Sequence, residues 1–231
     1  MNLNFLKGIL HLFYPELCIA CGESLVTGET YICLDCSLNL PKTGFHKLKN
    51  NPAEQVFWGR FPMQRVSSYL YFEKAAGVQH ILHHIKYQGG KELAKRVGRW
   101  YGDDLKEIDD YRSIDYIIPV PLHKSKLISR GYNQSEWFAL GLSESMKVPI
   151  QTNNLIRIAK SETQTRKTRY RRWENVSEIF AVQHPELLKN KHILLVDDVV
   201  TTGATLEACA QKLLGLNCGI KISIATIAFA S

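Results

Sequence analysis

Residues 193–205 combine an apolar run, an acidic pair and a threonine-rich turn; they read Ile-Leu-Leu-Val-Asp-Asp-Val-Val-Thr-Thr-Gly-Ala-Thr. Four consecutive apolar residues, 193–196, are typical of a strand that is buried on both faces. Asp197 and Asp198 follow where that strand is expected to end, and a helix is expected from about Leu206. This order of parts predicts an α/β protein with a ligand site at the carboxyl end of a strand.

The residue types in this stretch suit a phosphorylated sugar. Backbone N–H groups and the hydroxyls of Thr201, Thr202 and Thr205 can surround a phosphate, whose charge the helix dipole also favours. Gly203 allows the backbone to approach that phosphate closely. The acidic pair can accept hydrogen bonds from vicinal sugar hydroxyls or hold a hydrated Mg²⁺. An ordinary strand–turn–helix is the alternative, but the ordered succession of parts favours a phosphate-sugar site.

All thirteen positions of this stretch resemble the phosphoribosyl-pyrophosphate (PRPP) signature of type I phosphoribosyltransferases. The resemblance implies that the turn holds the 5′-phosphate, through Thr201, Thr202, Gly203, Ala204 and Thr205. It also implies that Asp197 and Asp198 are catalytic residues that hold the ribose hydroxyls, either directly or through Mg²⁺.

Four cysteines near the N-terminus form two Cys-x2-Cys pairs, Cys18 with Cys21 and Cys33 with Cys36, separated by eleven residues. Each pair can form a tight turn that directs two thiolates at one ion, and two such turns supply the four sulfurs of a structural Zn²⁺ site. A segment this short cannot bury a core of its own, so the metal would supply its folding energy. A disulfide pair and a redox dithiol are the alternatives; the spacing favours zinc.

The length of 231 residues fits one sizeable domain with a small appendage. We expect an N-terminal helix and zinc ribbon over 1–40 and a main domain over 66–231. Residues 41–65 contain Pro41, Pro52 and Pro62 and read as a linker.

Strands and helices alternate through the main domain, which predicts a parallel sheet. The patterns predict strands over 66–72, 114–119, 148–158 and 220–229, with Phe180–Val182 returning to the sheet. They predict helices over 75–87, 91–108, 134–146 and 204–216.

The net charge of +7 is unevenly distributed: residues 120–175 hold eleven Lys/Arg and four Glu, an excess equal to the whole net charge. A basic segment beside a phosphate site indicates polyphosphate or nucleic-acid partners. A solvated basic face is the alternative, so the charge alone is weak evidence.

The start of the chain places Leu6, Ile9, Leu10 and Phe13 on one helical face. It lacks the basic n-region and small-residue cleavage site of a signal peptide, so a short packing helix is expected. No apolar run reaches the roughly 18 residues that a membrane span needs. With nothing to indicate an oxidising compartment, the sequence predicts a cytoplasmic protein without a transmembrane segment.

The order of motifs along the whole chain resembles the ComF family of competence-associated proteins. After the four cysteines come Ile-Lys-Tyr-x-Gly at 85–89, Pro-Val-Pro at 119–121, Arg-Gly-Tyr-Asn-Gln at 130–134, and Gln164 followed by Arg172-x-x-Asn175. The resemblance implies an α/β fold: a type I phosphoribosyltransferase-like parallel sheet with helices on both faces, plus a small N-terminal zinc ribbon.

The same resemblance implies roles for side chains outside the PRPP signature. Those that would stabilise the departing pyrophosphate are Lys86, Pro119, Val120, Pro121, Leu122, His123 and Arg130. Gln164, Arg172 and Asn175 would belong to a flexible hood over the site.

Two functions fit these expectations. The first is a Mg²⁺-dependent phosphoribosyltransferase, which transfers a glycosyl group at ribose C1 to an unidentified acceptor and releases pyrophosphate. The second is a non-catalytic module of the competence machinery that binds PRPP or nucleotides and carries single-stranded DNA on its basic loop. Aromatic residues among the cations of 159–176 suit unstacked bases. The resemblance also implies other competence proteins as partners and a role in DNA uptake.

Overall fold

The computed structural model describes residues 15–72, 77–158 and 179–230. The predicted N-terminal helix and the hood residues Gln164, Arg172 and Asn175 lie outside these ranges. The helices are α1 (Leu34–Leu38), α2 (Pro52–Gln55), α3 (Gly77–Tyr87), α4 (Lys91–Leu105), α5 (Asp109–Arg112), α6 (Lys124–Arg130), α7 (Gln134–Met146) and α8 (Ala204–Leu214). The strands are β1 (Val66–Tyr71), β2 (Tyr116–Pro119), β3 (Leu155–Arg157), β4 (Phe180–Val182), β5 (His192–Val200) and β6 (Lys221–Phe229).

Four strands form a parallel sheet in the order β1-β6-β5-β2. Its two central strands, β5 and β6, are the longest, and they pair from His192 opposite Lys221 to Val200 opposite Phe229. The predicted parallel sheet is therefore confirmed.

The apolar run of β5 contributes to two cores, one on each face of the sheet. Leu194 and Val196 belong to a cluster with α3, α4 and α7, whereas Ile193 and Leu195 belong to a cluster with α8. Side chains of a strand alternate between faces, so a continuous apolar run is what a strand covered on both sides requires. Helices thus cover both faces, as expected.

Helices α4 and α7 cross so closely that only glycine fits at their contact. A Cβ on Gly98 would overlap the backbone oxygen of Phe138, and a Cβ on Gly141 would overlap that of Lys95. Gly102 is similarly close to Ser145. This close packing seats α7 against β2 and β5 and brings its first turn to the carboxyl end of the sheet.

Three features of the strands differ from the sequence prediction. The strand expected over 148–158 is broken: Ile150 makes a single bridge to Ile117, and the chain then turns so that β3 pairs antiparallel with β4. Phe180–Val182 accordingly joins β3 in a separate hairpin and does not return to the sheet. The signature strand β5 runs through the acidic pair to Val200, because β6 continues to pair with it beyond Val196.

Residues 41–65, which read as a linker, are packed against the main domain. Phe45, Ala53 and Phe57 are buried in the same cluster as α8. Asn51 caps α2 with its side-chain oxygen and donates its amide to the backbone of Val66, 2.9 Å away. The domain boundaries stay a prediction, but this stretch is compact and contributes to the core.

The four-cysteine segment docks on α3 and α4. His80 Nδ1 lies 3.2 Å from the backbone oxygen of Ala20, and Arg96 donates to that of Thr30 over 2.7 Å. Its apolar side chains are continuous with the cluster that contains α3. Within the described ranges, no helix combines the length and apolar character that crossing a membrane requires.

Candidate functional site

A cleft of about 400 Å³ opens at the carboxyl ends of the parallel strands. It collects most of the side chains that the sequence predicts for the site: Lys86, Val120, Pro121, Leu122, His123, Arg130, Asp197, Asp198, Thr201 and Thr205. Pro119 ends β2 just before the lining residues. The structure therefore brings together segments that lie more than one hundred residues apart in the chain.

The remaining turn residues, Thr202, Gly203 and Ala204, line an adjoining recess of about 70 Å³. It is bordered by the start of α8, which begins after Gly203. No described residue accepts a hydrogen bond from the backbone N–H groups of 201–205. Free N–H groups at the start of a helix form a site for an anion.

Gly203 is required here for two reasons. Its φ of 74° lies in the left-handed region, where a side chain is strained. A Cβ at this position would also lie 2.6 Å from the ring of Phe57. Arg60, from the same stretch as Phe57, donates to the backbone oxygen of Thr202 over 2.8 Å and pairs with Glu207. The stretch 41–65 thus packs against the turn through Phe57 and Arg60.

Asp197 is half-buried and lies where β5 meets the first turn of α7. Its Oδ1 accepts a hydrogen bond from Ser135 Oγ over 2.7 Å and another from the backbone of Asp198. Burial and the neighbouring charge of Asp198 raise the pKa of Asp197 to about 7, although Ser135 and Lys86 act in the opposite direction. The carboxyl group of Asp197 therefore ionises less readily than that of an exposed aspartate.

Asp198 is buried and carries two donors on one oxygen. Lys86 Nζ lies 3.1 Å from its Oδ2, and Gln134 Nε2 donates to the same oxygen over 3.1 Å. Its Oδ1, and Oδ2 of Asp197, accept no hydrogen bond from the described residues. The acidic pair thus keeps two oxygens available for a ligand.

Gln134 links a cation to this carboxylate. Arg130 donates from Nη1 to Gln134 Oε1 over 3.0 Å, and the amide of Gln134 then donates to Asp198. The guanidinium of Arg130 also lies over the ring of Tyr87, 5.1 Å from its centroid. The result is a chain of contacts from an exposed aromatic ring to the acidic pair.

The loop before α6 is fixed by backbone contacts. Val120 donates its N–H to Val196 on β5 over 2.8 Å, and its oxygen accepts from the Asn133 side chain over 3.0 Å. Asn133 also caps α7 through the N–H of Ser135. His123 caps α6 by accepting from the N–H of Ser125. These contacts hold the loop 119–123 against the cleft.

Among the cleft residues that were not predicted as site residues, Gln134 and Ser135 contact the acidic pair. Both lie in the first turn of α7, immediately after the cap residue Asn133. The Arg-Gly-Tyr-Asn-Gln motif marked this position, but nothing local indicates that its side chains reach a strand more than sixty residues later in the chain.

A second cavity, of about 430 Å³, lies at the opposite end of the sheet, where His192 and Lys221 begin β5 and β6. Arg65, in its wall, is buried and already pairs with Glu54 and Asp110. Ligands of parallel sheets bind at the carboxyl ends of the strands, so the cleft beside Asp197 and Asp198 is the better candidate.

The four cysteines predicted to bind metal form one cluster. One sulfur from each of Cys18, Cys21, Cys33 and Cys36 lies within 4.8 Å of the others. The sulfurs of Cys21 and Cys33 are 3.9 Å apart, close to the roughly 3.8 Å edge of a tetrahedron with metal–sulfur bonds of about 2.3 Å. All six cysteines lie within the described ranges, and none of them is in a disulfide in this structure.

The thiols of this cluster influence one another. Although burial opposes ionisation, backbone N–H groups, led by that of Cys33, lower the pKa of Cys18 to about 7. Burial and the neighbouring thiols raise the pKa of Cys36 well above its ordinary value. Four adjacent thiolates need a cation to offset their repulsion, and this donor set suits a metal such as zinc.

Comparisons with known proteins agree with this geometry. Residues 128–231 match the family described as the phosphoribosyl transferase domain. The chain is 28% identical over 221 residues to DNA utilization protein YhgH of Shigella flexneri, covering 88% of this chain and 92% of that protein. It is 27% identical over 218 residues to competence protein F of Haemophilus influenzae, covering 90% of this chain and 88% of that protein.

Among solved structures, the glutamine PRPP amidotransferase of B. subtilis, complexed with ADP and GMP, is similar with a TM-score of 0.42. The identity is 15%, and the similarity covers 62% of this chain and 30% of that one. The matched domain family, the parallel sheet and the cysteine cluster together confirm the expected fold: a phosphoribosyltransferase-like α/β domain with a four-cysteine appendage.

Proposed function

This chain belongs to the ComF family of competence-associated proteins, and we propose on that basis that it is a Mg²⁺-dependent phosphoribosyltransferase that uses PRPP. The observation that carries the proposal is the cleft itself: an acidic pair, an anion-binding turn and a group of cations line one space. PRPP carries the complementary groups, which are a 5′-phosphate, two ribose hydroxyls and a pyrophosphate.

In the proposed complex, the 5′-phosphate binds the turn 201–205, where the backbone N–H groups donate to no residue that the structure describes. The ribose hydroxyls donate to the open carboxylate oxygens of Asp197 and Asp198. The pyrophosphate meets Lys86 and Arg130 and the loop that contains His123. Each group of PRPP is thereby paired with residues of opposite charge or hydrogen-bonding character.

The residues of the acidic pair also fit Mg²⁺, because two of their oxygens are open and hard oxygen ligands are what this ion prefers. Asp197 and Asp198 would hold the ion together with the ribose hydroxyls. Bound Mg²⁺ would offset negative charge on the pyrophosphate as it departs.

In the reaction, the bond between ribose C1 and the pyrophosphate oxygen breaks, and its electron pair leaves on the pyrophosphate. A nitrogen or oxygen of the acceptor forms the new bond to C1 and releases its proton to solvent. Lys86 and Arg130 are fixed cations aimed at the charge of the leaving group, and such preorganised charges lower the barrier most.

A thermal-melting experiment tests this proposal. PRPP with Mg²⁺ at a hundredfold excess over Kd should stabilise the native protein by roughly 2.7 kcal/mol. Asp198→Asn should lose most of this effect, whereas Asp109→Asn, whose side chain is 90% exposed at the other end of the sheet, should retain it. An unchanged melting curve for the wild type with both ligands present would contradict the proposal. Pyrophosphate release with candidate acceptors then tests catalysis.

For the appendage we propose one structural Zn²⁺ bound by Cys18, Cys21, Cys33 and Cys36. Support comes from the mutual proximity of the four sulfurs and from their free state. The reduced cysteines and the family membership are also the basis for proposing that the protein acts in the cytoplasm, beside other competence proteins.

A second candidate function is binding of single-stranded DNA, and one surface feature favours it. Tyr87 is 63% exposed at the cleft mouth beneath the guanidinium of Arg130. Helix α6 beside it buries none of its residues and exposes Lys124 and Lys126. Exposed aromatic rings with cations suit unstacked bases.

Binding of a labelled oligothymidine at several salt concentrations distinguishes this function. Affinity should fall steeply with salt and should fall again in Tyr87→Ala, but not in Trp58→Ala, where the aromatic ring is similarly exposed, at 55%. DNA binding without PRPP turnover would favour the non-catalytic module. Equal binding by both variants would remove the surface at Tyr87 from consideration.

A further inference from the structure

Arg157 lines the cleft but has no place in the proposed PRPP contacts. It is the last residue of β3, and its guanidinium lies over the ring of Phe180 on β4, 5.5 Å from the centroid. Its Nε is fully buried and makes no hydrogen bond with any described residue. Buried donors without acceptors are rare, because leaving such a group unpaired is costly.

The position of Arg157 separates it from the other cations of the cleft. The β3–β4 hairpin packs on α8, and Leu155 and Phe180 share a cluster with Cys209 of that helix. Lys86 lies in the last turn of α3, which packs on the opposite face of the sheet, and Arg130 ends α6, separated by three residues from α7, which packs on that same face. The cleft therefore has Lys86 and Arg130 on one side of β5 and Arg157 on the other.

Substitution at ribose C1 needs room on both sides of that carbon. If the pyrophosphate departs toward Lys86 and Arg130, the incoming nucleophile approaches from the other side, where the hairpin lies. A cation on that side does not assist the leaving group; it contacts the acceptor. This step rests on the proposed function.

We propose that Arg157 recognises an anionic group, a carboxylate or a phosphate, on the acceptor that replaces pyrophosphate. The guanidinium donates in a planar fork that matches both anions. Stacking on Phe180 holds that fork in one orientation, and the anion must displace the contacts that bury Nε before this donor gains the acceptor that it lacks. Arg157 is thus a specificity-determining residue on the acceptor side of the cleft.

The test follows the Nε–H resonance of Arg157 by ¹⁵N NMR, assigned through its absence in Arg157→Lys. Wild-type protein loaded with Mg²⁺ and PRPP is titrated with nicotinate, orotate and inorganic phosphate, and with the neutral analogues nicotinamide and uracil. An anionic probe should shift this resonance, and its neutral analogue should not. The affinity of that probe should fall about tenfold or more in Arg157→Met, with partial recovery in Arg157→Lys.

The affinity for PRPP in Arg157→Met should stay within about twofold of the wild type, as it should in Arg112→Met, an exposed arginine on α5. A shift of the Arg157 resonance by PRPP alone, with loss of PRPP affinity in Arg157→Met, would overturn the assignment to the acceptor. If none of the three anions shifts the Arg157 resonance, the proposal is also overturned. If PRPP does not bind the wild type at all, the proposed function fails first, and the two failures are thereby distinguished.

Discussion

Lys86 and Asp198 form an ion pair across the cleft, with Nζ 3.1 Å from Oδ2, and both side chains are largely buried. They come from the end of α3 and from the central strand β5. In the proposed PRPP complex the same lysine faces the pyrophosphate, and the same carboxylate faces ribose or Mg²⁺. Both partners of the pair are thus groups that a ligand would engage.

The first prediction is that Lys86→Met lowers the affinity for PRPP with Mg²⁺ by about tenfold or more, because a fixed cation is lost beside the pyrophosphate. The matched control is Lys95→Met, which breaks the Lys95–Glu144 pair on α4 and α7, where the lysine is similarly buried. Isothermal titration of each variant measures the effect. Equal affinities in the two variants would reduce Lys86 to a structural role.

The second prediction concerns the stability of the ligand-free protein against pH. The pKa of Asp197 is raised to about 7, whereas an unfolded aspartate titrates near 3.9. Between these values only the native state holds the proton, so this group favours folding at low pH, and its contribution is lost as the pH rises toward 7. The slope is at most about 1.4 kcal/mol per pH unit.

Asp197→Asn removes this titration. Its free energy of unfolding, measured by urea denaturation in chelator from pH 4.5 to 8, should therefore decline less than that of the wild type. Asp115→Asn is the control for an aspartate whose pKa is lowered, mainly by the backbone N–H of His192 and also by Lys191. Parallel curves for the wild type and Asp197→Asn would show that Asp197 does not titrate in this range.

The third prediction is that the Cys33→Ser/Cys36→Ser double variant binds no zinc and that its whole chain, main domain included, melts at a lower temperature. The appendage shares one core with α3, since Cys18, Ala20 and Ile32 cluster with Val78 and Ile81. Metal analysis measures the zinc, and far-UV circular dichroism measures the melting. Cys218→Ser, outside the cluster, should retain one zinc per chain. Zinc retained by the double variant would remove the four-cysteine site.

The fourth prediction separates backbone strain from steric overlap at Gly203. Gly203→Ala should destabilise the protein by about 2–4 kcal/mol, from a left-handed φ and from contact with Phe57. Gly89→Ala has nearly the same φ, 72°, with open space around it, and should incur only the strain. Adding Phe57→Leu should recover part of the loss at Gly203. Equal losses of unfolding free energy in Gly203→Ala and Gly89→Ala would show that Phe57 does not constrain the turn.

Features encoded within a short stretch were predictable from the sequence. The strand, the acidic pair and the helix start all lie within 193–205, and the cysteine spacing alone indicated the cluster that the structure contains. The length of β5 was not predictable locally, because the pairing of Val199 with Ala228 extends it.

Long-range contacts account for what the sequence did not reveal. Gln134 and Ser135 reach the acidic pair only because α4 and α7 cross on glycines. The prolines of 41–65 suggested a linker, yet Pro52 begins a helix capped by Asn51, and Phe57 is fully buried by contacts distant in sequence.

The continuation of β5 through the acidic pair affects how the protein can select a substrate. Asp197 pairs with Thr226 of β6, and two residues later Val199 pairs with Ala228, so the backbone that carries both carboxylates is anchored in the centre of the sheet. This backbone has little freedom to adapt to a differently shaped sugar. In the proposed PRPP complex, donors without correctly placed hydroxyls would therefore be rejected at the sheet itself, and variation among related proteins in what they accept should arise in the surrounding loops and helix ends.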